Sequence, residues 1–313
     1  MATANYRLRA ALGNLELPDT VNEIAFRGFS IVQCPNHANP VPFVNEEGNI
    51  DDVDWQYPSN PDPRYPVCDY YLEAIINAEE GNGWVGAESF LSWALTKLRL
   101  HKPGHLWGTL HTVNNTAHPG IQTGINDINE SMRRRHNQPP SQGITVRRTN
   151  FSITEPEIEP LKQFVNVLGD APTTSFGVAI RRFNQAFDRD IPEDRAVDLF
   201  IALESLLSED SDAIRYKIAL RGSHLIGVSR EEKISVNSFL KKAYDHRSGI
   251  MHGTSRPVGW LRERYEGGPS NLDNLEDIVR KLIRYMSERA AQGQILNAGN
   301  IDEALFFRQG YGS

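Results

Sequence analysis

The stretch AYDHRSGIMHG, residues 243–253, sets Arg247 and His252 five positions apart. Those two side-chain types can do one specific piece of chemistry together. A histidine titrates near neutrality, so it can take the proton from a ribose 2′-hydroxyl or hand one to a leaving 5′-oxygen. An arginine keeps its charge at any ordinary pH, and its planar fork fits phosphate oxygens. It can therefore stabilise the extra negative charge of a pentacoordinate phosphorus. The scheme needs no metal and no cofactor. On an unbroken α-helix, five residues turn the side chains about 140° apart. Ser248-Gly249 and Gly253 are therefore expected to break the helix and turn His252 toward Arg247. A looser pair, Arg99 and His105 in RLHKPGH, spans Pro103-Gly104 without buried-charge companions, and it is set aside.

The elements that would position the pair are helices. From about residue 174 the apolar spacing is helical throughout. Phe176, Ile180, Phe183 and Phe187 share one face. A second helix opens at Pro192 with Glu193 and Asp194 in its first turn, and VDLFIALESLL is apolar nearly all round, which marks a central helix. A third covers about 212–227. A fourth starts after Ser229, whose capping partner is Glu232, and runs through Val236, Phe239, Leu240, Ala243 and Tyr244. A fifth carries Leu275, Ile278, Val279, Leu282 and Met286 on one stripe.

Three of these stripes contain a charge. Arg247 continues the stripe of Val236 and Phe239, Glu204 follows Phe200 and Ile201, and Arg221 shares a face with Ile214, Ile218 and Leu225. A lone charge is costly to bury, so each must be paired or must line a cleft. Two arrangements satisfy this. Glu204 could pair with Arg221 or Arg247 to hold the helices in register, or Glu204 and Arg221 could support Arg247 at a site.

The first half follows a different pattern. EIAFRGFSIVQ (23–33), VCDYYLEAII (67–76), HLWGTLHTV (105–113) and GITVRRTNFSI (143–153) are predicted strands. AESFLSWALTKLRL (87–100) is a predicted helix stopped by Pro103-Gly104, and TEPEIEPLKQFV (154–165) is another, opened by a Thr-x-x-Glu cap. Residues 34–66 and 114–142, rich in Asn, Pro, Gly and Asp, are expected to be long loops. The second loop carries Arg133, Arg134 and Arg135, which read either as a solvated basic run or as phosphate contacts. The predicted division is an α+β region at 1–168, a helical domain at 174–292 and a tail at 293–313.

With 313 residues and a formal charge of −7, the chain is not one that coats nucleic acid through bulk charge. The charge is uneven, however: residues 174–292 hold 19 Lys and Arg against 18 Asp and Glu. An acidic partner would meet that half more easily. No run approaches the length of a membrane span and no signal peptide is apparent, so a cytoplasmic location is expected. Cys34 and Cys68 do not make a disulfide framework, and the CPNH spacing of Cys34 and His37 lacks the second ligand pair of a structural zinc site.

IALESLL (201–207), RYKIALRGSHLIG (215–227) and YDHRSGIMHG (244–253), in that order on successive helices, resemble an Apea-like HEPN domain. The likeness covers about residues 174–292, and the RS-x-x-x-HG end is its most specific part. The resemblance implies an all-α bundle of about five helices that dimerises. Many such domains are metal-independent endoribonucleases of toxin–antitoxin, abortive-infection and CRISPR-associated defence systems. Their Arg-x4–6-His motif maps onto Arg247 and His252, and both protomers' motifs line one composite cleft. Ser248 stands directly after the arginine, as in many Apea-like members. Thr254 stands where HEPN toxins controlled by tyrosine modification carry the tyrosine.

The expected activity is RNA cleavage leaving a 2′,3′-cyclic phosphate and a 5′-hydroxyl. Glu204, Arg221 and Ser248 would support the pair, and Arg133, Arg134, Arg135 and Lys241 are candidate RNA contacts. An antitoxin or regulatory partner is a further expectation. The alternative is a non-catalytic HEPN module that binds RNA, a nucleotide or a partner protein.

Overall fold

The computed structural model describes residues 2–34, 39–44, 50–56, 69–117, 150–168, 176–187, 189, 191–208, 212–251 and 255–308. Two compact units meet in sequence at Asn166–Val167.

The first unit is built on a five-stranded antiparallel sheet. Its strands are β1 (Thr3–Gly13), β3 (Glu23–Phe26), β4 (Phe29–Gln33), β7 (Tyr70–Glu79) and β8 (Trp107–Asn115), in the order β3-β4-β7-β1-β8. The inner strand β1 alternates through its first part, with Tyr6, Leu8 and Ala10 buried between more exposed Arg7 and Arg9, and is buried on both faces at Ala10, Ala11 and Leu12. Arg9 faces Glu73 across the β1–β7 ladder at 2.5 Å, a cross-strand ion pair on the wetter face. Helix α1 (Gly83–His101) packs on β7, β1 and β8. Its first residue has to be glycine, because a Cβ on Gly83 would lie 2.4 Å from the Tyr6 ring.

Several expectations for this unit need correcting. EIAFRGFSIVQ is a hairpin, not one strand: Arg27-Gly28 forms the turn, with Gly28 at φ 101°, and Phe26 stacks on Phe29 at 4.6 Å. The region 34–66 contains a second hairpin, β5 (Asn39–Val44) and β6 (Ile50–Gln56). Its prolines disguise it, and they are tolerated because the pair forms a two-stranded sheet whose strands are both edges. Of GITVRRTNFSI, only β9 (Phe151–Ser152) is a described strand; it pairs in parallel with β2 (Leu15–Glu16). Arg133, Arg134 and Arg135 lie outside the described residues.

Thr154 and Glu157 form the expected capping box, but around a short 3₁₀ turn that leads into α2 (Ile158–Val167). Glu157 also takes Lys102 Nζ at 2.6 Å, and these bonds hold its carboxyl down at about 2, Lys102 contributing most. The set-aside Arg99 is in fact buried, as is Lys97 on the same helix. Lys97 donates to the Val165 carbonyl at 3.1 Å with its ammonium 3.5 Å from the Trp93 ring centre, and Arg99 donates to the Leu106 carbonyl at 3.0 Å. Both tie α1 to the chain around it.

The second unit is helical: α3 (Gly177–Phe187), α4 (Pro192–Leu207), α5 (Ile214–Ile226), α6 (Arg230–Met251), α7 (Ser255–Arg262), α8 (Asn271–Ala291) and α9 (Ala298–Arg308). Seven helices are described where about five were expected; the two short additions are α7 and α9. The apolar helix α4 is central, touching α3, α5, α6, α7 and α8 and burying Leu199, Phe200, Leu203, Leu206 and Leu207. Helix α8 buries the whole predicted stripe. The Ser229–Glu232 box caps α6, with Glu232 N–H donating to Ser229 Oγ at 3.1 Å. Gly222 on α5 lets Leu240 of α6 approach so closely that a Cβ would come within 2.8 Å of it.

Of the expected tail, residues 293–308 are described, and they are joined to the helical unit. Ile301 of α9 is buried and Asp302 engages Arg221 of α5.

The core of this unit holds ionised groups. Arg195 of α4 donates to Glu276 of α8 at 2.5 Å, and Arg280 donates to the same carboxylate at 2.6 Å. Asp198 of α4 accepts from Arg182 at 2.9 Å and Arg189 at 3.0 Å. Burial alone would push the Glu276 carboxyl up, but Arg195 and Arg280 together hold it below its usual value. The Glu276→Gln protein should lose about 3–5 kcal/mol of stability, because two buried guanidinium groups lose their shared counter-charge. Urea denaturation at neutral pH reads this directly. The contribution should be complete above the ordinary carboxylate value of 4.5 and disappear as pH falls through the lowered value in the fold, so the two proteins should converge in acid.

Candidate functional site

Glu204 lies in the last turn of α4 and Arg247 near the end of α6, and the contact between these helices brings them together. Arg247 Nη2 donates to Glu204 Oε2 at 3.1 Å, and Nε sits 2.6 Å from Oε1 without an aligned hydrogen bond. The sequence left two partners open for Glu204, and in the fold it holds Arg247. Tyr244, one turn before Arg247, completes the group. Its hydroxyl donates to Glu204 Oε1 at 3.0 Å, and the Arg247 guanidinium carbon lies 5.4 Å from its ring centre. The Tyr244 ring meets Phe200 edge-on at 6.2 Å, which fixes it against α4.

Burial first, then the Glu204 charge and the hydrogen bond to it, push the Tyr244 hydroxyl up to about 12. It therefore remains a donor at any physiological pH. The side chains of Arg247 and Glu204 keep 28% and 22% of their surface exposed. The pair is thus neither a screened surface bridge nor a sealed one. A guanidinium in this setting stays ordered and yet can meet an anion from solution.

The surrounding expectations fare differently. The break expected at Gly249 is absent: α6 is continuous to Met251, with Ile250 buried. A mid-helix glycine costs about 1 kcal/mol, which packing of this length of helix readily outweighs. Ser248 is exposed on α6. His252 lies outside the described residues. Arg221, expected to support Arg247, is engaged elsewhere: its fork grips Asp302 at 2.7 and 2.6 Å, and Nη1 donates to the Leu207 carbonyl at 2.5 Å. It closes the C-terminus of α4 and fastens α9 there. Lys241 lies with its ammonium 5.7 Å from the ring centre of Tyr216 on α5.

Tyr244 was read from the sequence only as an apolar stripe residue. Its place three residues before Arg247 was the available signal, since side chains at that spacing are neighbours on a helix. Cys34 packs in an apolar group with Ala11, Tyr71 and Val32. Among the described residues no group of three or more His, Cys, Asp or Glu could hold a metal ion, and no helix is long and apolar enough to cross a membrane.

No family model, no curated protein and no solved structure matches this chain.

The Tyr244→Phe protein keeps the ring under Arg247 and removes the hydrogen bond to Glu204. It should unfold about 1.5–3 kcal/mol more easily, as a bond to a charged acceptor warrants. Glu204→Gln combined with Tyr244→Phe should cost less than the sum of the two single changes, because one carboxylate joins them. Chemical denaturation of the four proteins provides the cycle.

Proposed function

We propose that this protein is a metal-independent endoribonuclease of the HEPN type, with Arg247 holding the scissile phosphate and His252 as general base or acid. The observation that carries the reading is the state of Arg247. It stands on a helix stripe among apolar residues, is held in one orientation by Glu204 and Tyr244, and retains an exposed edge. An arginine kept ordered but reachable is what a phosphate in a strained, charge-gathering transition state requires. The 2′-hydroxyl loses its proton to His252 and attacks the adjacent phosphorus. The 5′-oxygen leaves with a proton, and the products carry a 2′,3′-cyclic phosphate and a 5′-hydroxyl. Glu204 and Tyr244 act on this chemistry through the position of Arg247. A two-fold dimer would set two such motifs around one cleft, with the sheet-based unit selecting the RNA or a regulatory partner. A role in prokaryotic defence or as a toxin fits such an enzyme.

The second reading, a non-catalytic RNA-binding or partner-binding module, draws on one feature of the same group. The Glu204 carboxylate already occupies the Arg247 fork, and a phosphate would have to displace or share it.

Purified protein incubated with total RNA should give fragments ending in a 2′,3′-cyclic phosphate, at the same rate with and without a chelator. Arg247→Ala and His252→Ala should each slow cleavage by roughly 100-fold or more. A His252→Ala protein that cuts as fast as the parent would sink the assignment. RNA bound but never cut by the parent would favour the second reading.

A further inference from the structure

Beside the Arg247 group lies a second pairing of a cation with a ring, and this one is open. Lys241, Tyr244 and Arg247 are three residues apart on α6, so each side chain is rotated about 60° from the last and stands next to it. They form one continuous ridge. At its outer end Tyr216 of α5 projects beside Lys241, with 55% of its surface exposed. The close approach of α5 and α6 at Gly222 and Leu240 makes this adjacency possible. Arg215, just before Tyr216, binds Asp245, just after Tyr244, at 2.5 Å, which fixes the start of α5 to the same turn of α6.

The order along the surface is therefore Tyr216, Lys241, Tyr244, Arg247: ring, cation, ring, cation. The charges are not equally committed. Glu204 compensates Arg247 and Arg215 compensates Asp245. Among the described residues no carboxylate pairs with Lys241 or with its exposed neighbour Lys242. Lys241 stands six residues before Arg247, about 9 Å along the helix. An exposed ring with a spare cation, a short step from an arginine proposed to hold phosphate, is suited to one class of ligand. Bases that are unpaired can stack on an aromatic face, whereas bases in a duplex cannot present theirs.

We propose that Tyr216 and Lys241 form a subsite for single-stranded RNA, in which Tyr216 stacks a base next to the nucleotide whose phosphate lies at Arg247 and Lys241 takes a flanking phosphate. The proposal rests on the nuclease reading for what happens at Arg247, but the subsite itself is a binding claim. It makes the enzyme selective for unpaired strands, because a duplex meets Lys241 and leaves Tyr216 unused.

The test measures binding in a His252→Ala background, so that RNA is held without being cut. A fluorescent single-stranded oligoribonucleotide is titrated by anisotropy against full-length proteins carrying Tyr216→Ala, Tyr216→Phe or Lys241→Ala. Tyr216→Ala should weaken binding roughly 5- to 150-fold, the worth of one base–aromatic stack. Tyr216→Phe should bind within about twofold of the background, since the ring remains. Lys241→Ala should lower the salt dependence by about 0.7 in the log–log slope, one single-strand phosphate contact.

The same sequence as a duplex should bind independently of residue 216. Tyr216 is exposed, so loss of folding is not expected, and equal unfolding midpoints check this. Unchanged binding by Tyr216→Ala would overturn the proposal. So would equal dependence on Tyr216 for the duplex, or for an acidic peptide competing at the same site. If single-strand binding depends on Tyr216 while the parent never cuts that RNA, the nuclease reading fails and the subsite stands.

Discussion

Helix α4 organises the second unit through four polar ties, one to each of four neighbouring helices. Asp198 takes Arg182 of α3, Arg195 takes Glu276 of α8, Glu204 takes Arg247 and Tyr244 of α6, and the Leu207 carbonyl takes Arg221 of α5. The constraint behind this is that a charge on a buried helix face must find its counter-charge inside the protein. A helix apolar enough to be central could be packed in several rotations. Ionic partners at fixed positions leave one.

The ties differ in how far they are removed from water. The Arg195–Glu276 pair is sealed, with side chains 4% and 10% exposed, whereas buried Asp198 is met by Arg182 and Arg189, whose side chains are 34% and 47% exposed. The Glu204–Arg247 pair at the other end of α4 is more open than Arg195–Glu276, with both members partly exposed. An anion from solution cannot reach Arg195 without unfolding the core, whereas Arg247 keeps an exposed edge. The same gradient explains why Tyr244 matters: a half-open guanidinium would wander unless a ring beneath it and a shared carboxylate limited its positions. Lys241 and Tyr216 extend that opening along α6 and α5, so the polar end of the bundle presents one connected surface and not an isolated arginine.

The first unit is organised by its sheet. The sheet turns Tyr6, Leu8, Ala10 and Leu12 toward α1, and the buried cations Lys97 and Arg99 each donate to a carbonyl of the neighbouring chain. A cation bonded to a carbonyl and resting on a ring, as Lys97 does on Trp93, fixes a connection in place.

By itself the sequence determined which faces five of the seven described helices of the second unit bury, and that Glu204, Arg221 and Arg247 could not remain alone on those faces. Periodicity and capping are local properties, so the Ser229–Glu232 box and the α8 stripe were legible residue by residue. The short strands were less so: the Arg27-Gly28 turn hid inside an apolar run, and prolines disguised the hairpin of β5 and β6. Only the tertiary structure decided which carboxylate met which arginine. Glu204 could have served Arg221 or Arg247, and the choice fell on Arg247 because Asp302, on a helix outside the expected bundle, claimed Arg221. It also decided that Gly249 stays helical, since intrinsic propensity is worth about 1 kcal/mol and packing along α6 outweighs it. Pairing between distant segments depends on which elements pack together, and no local pattern in a chain encodes that.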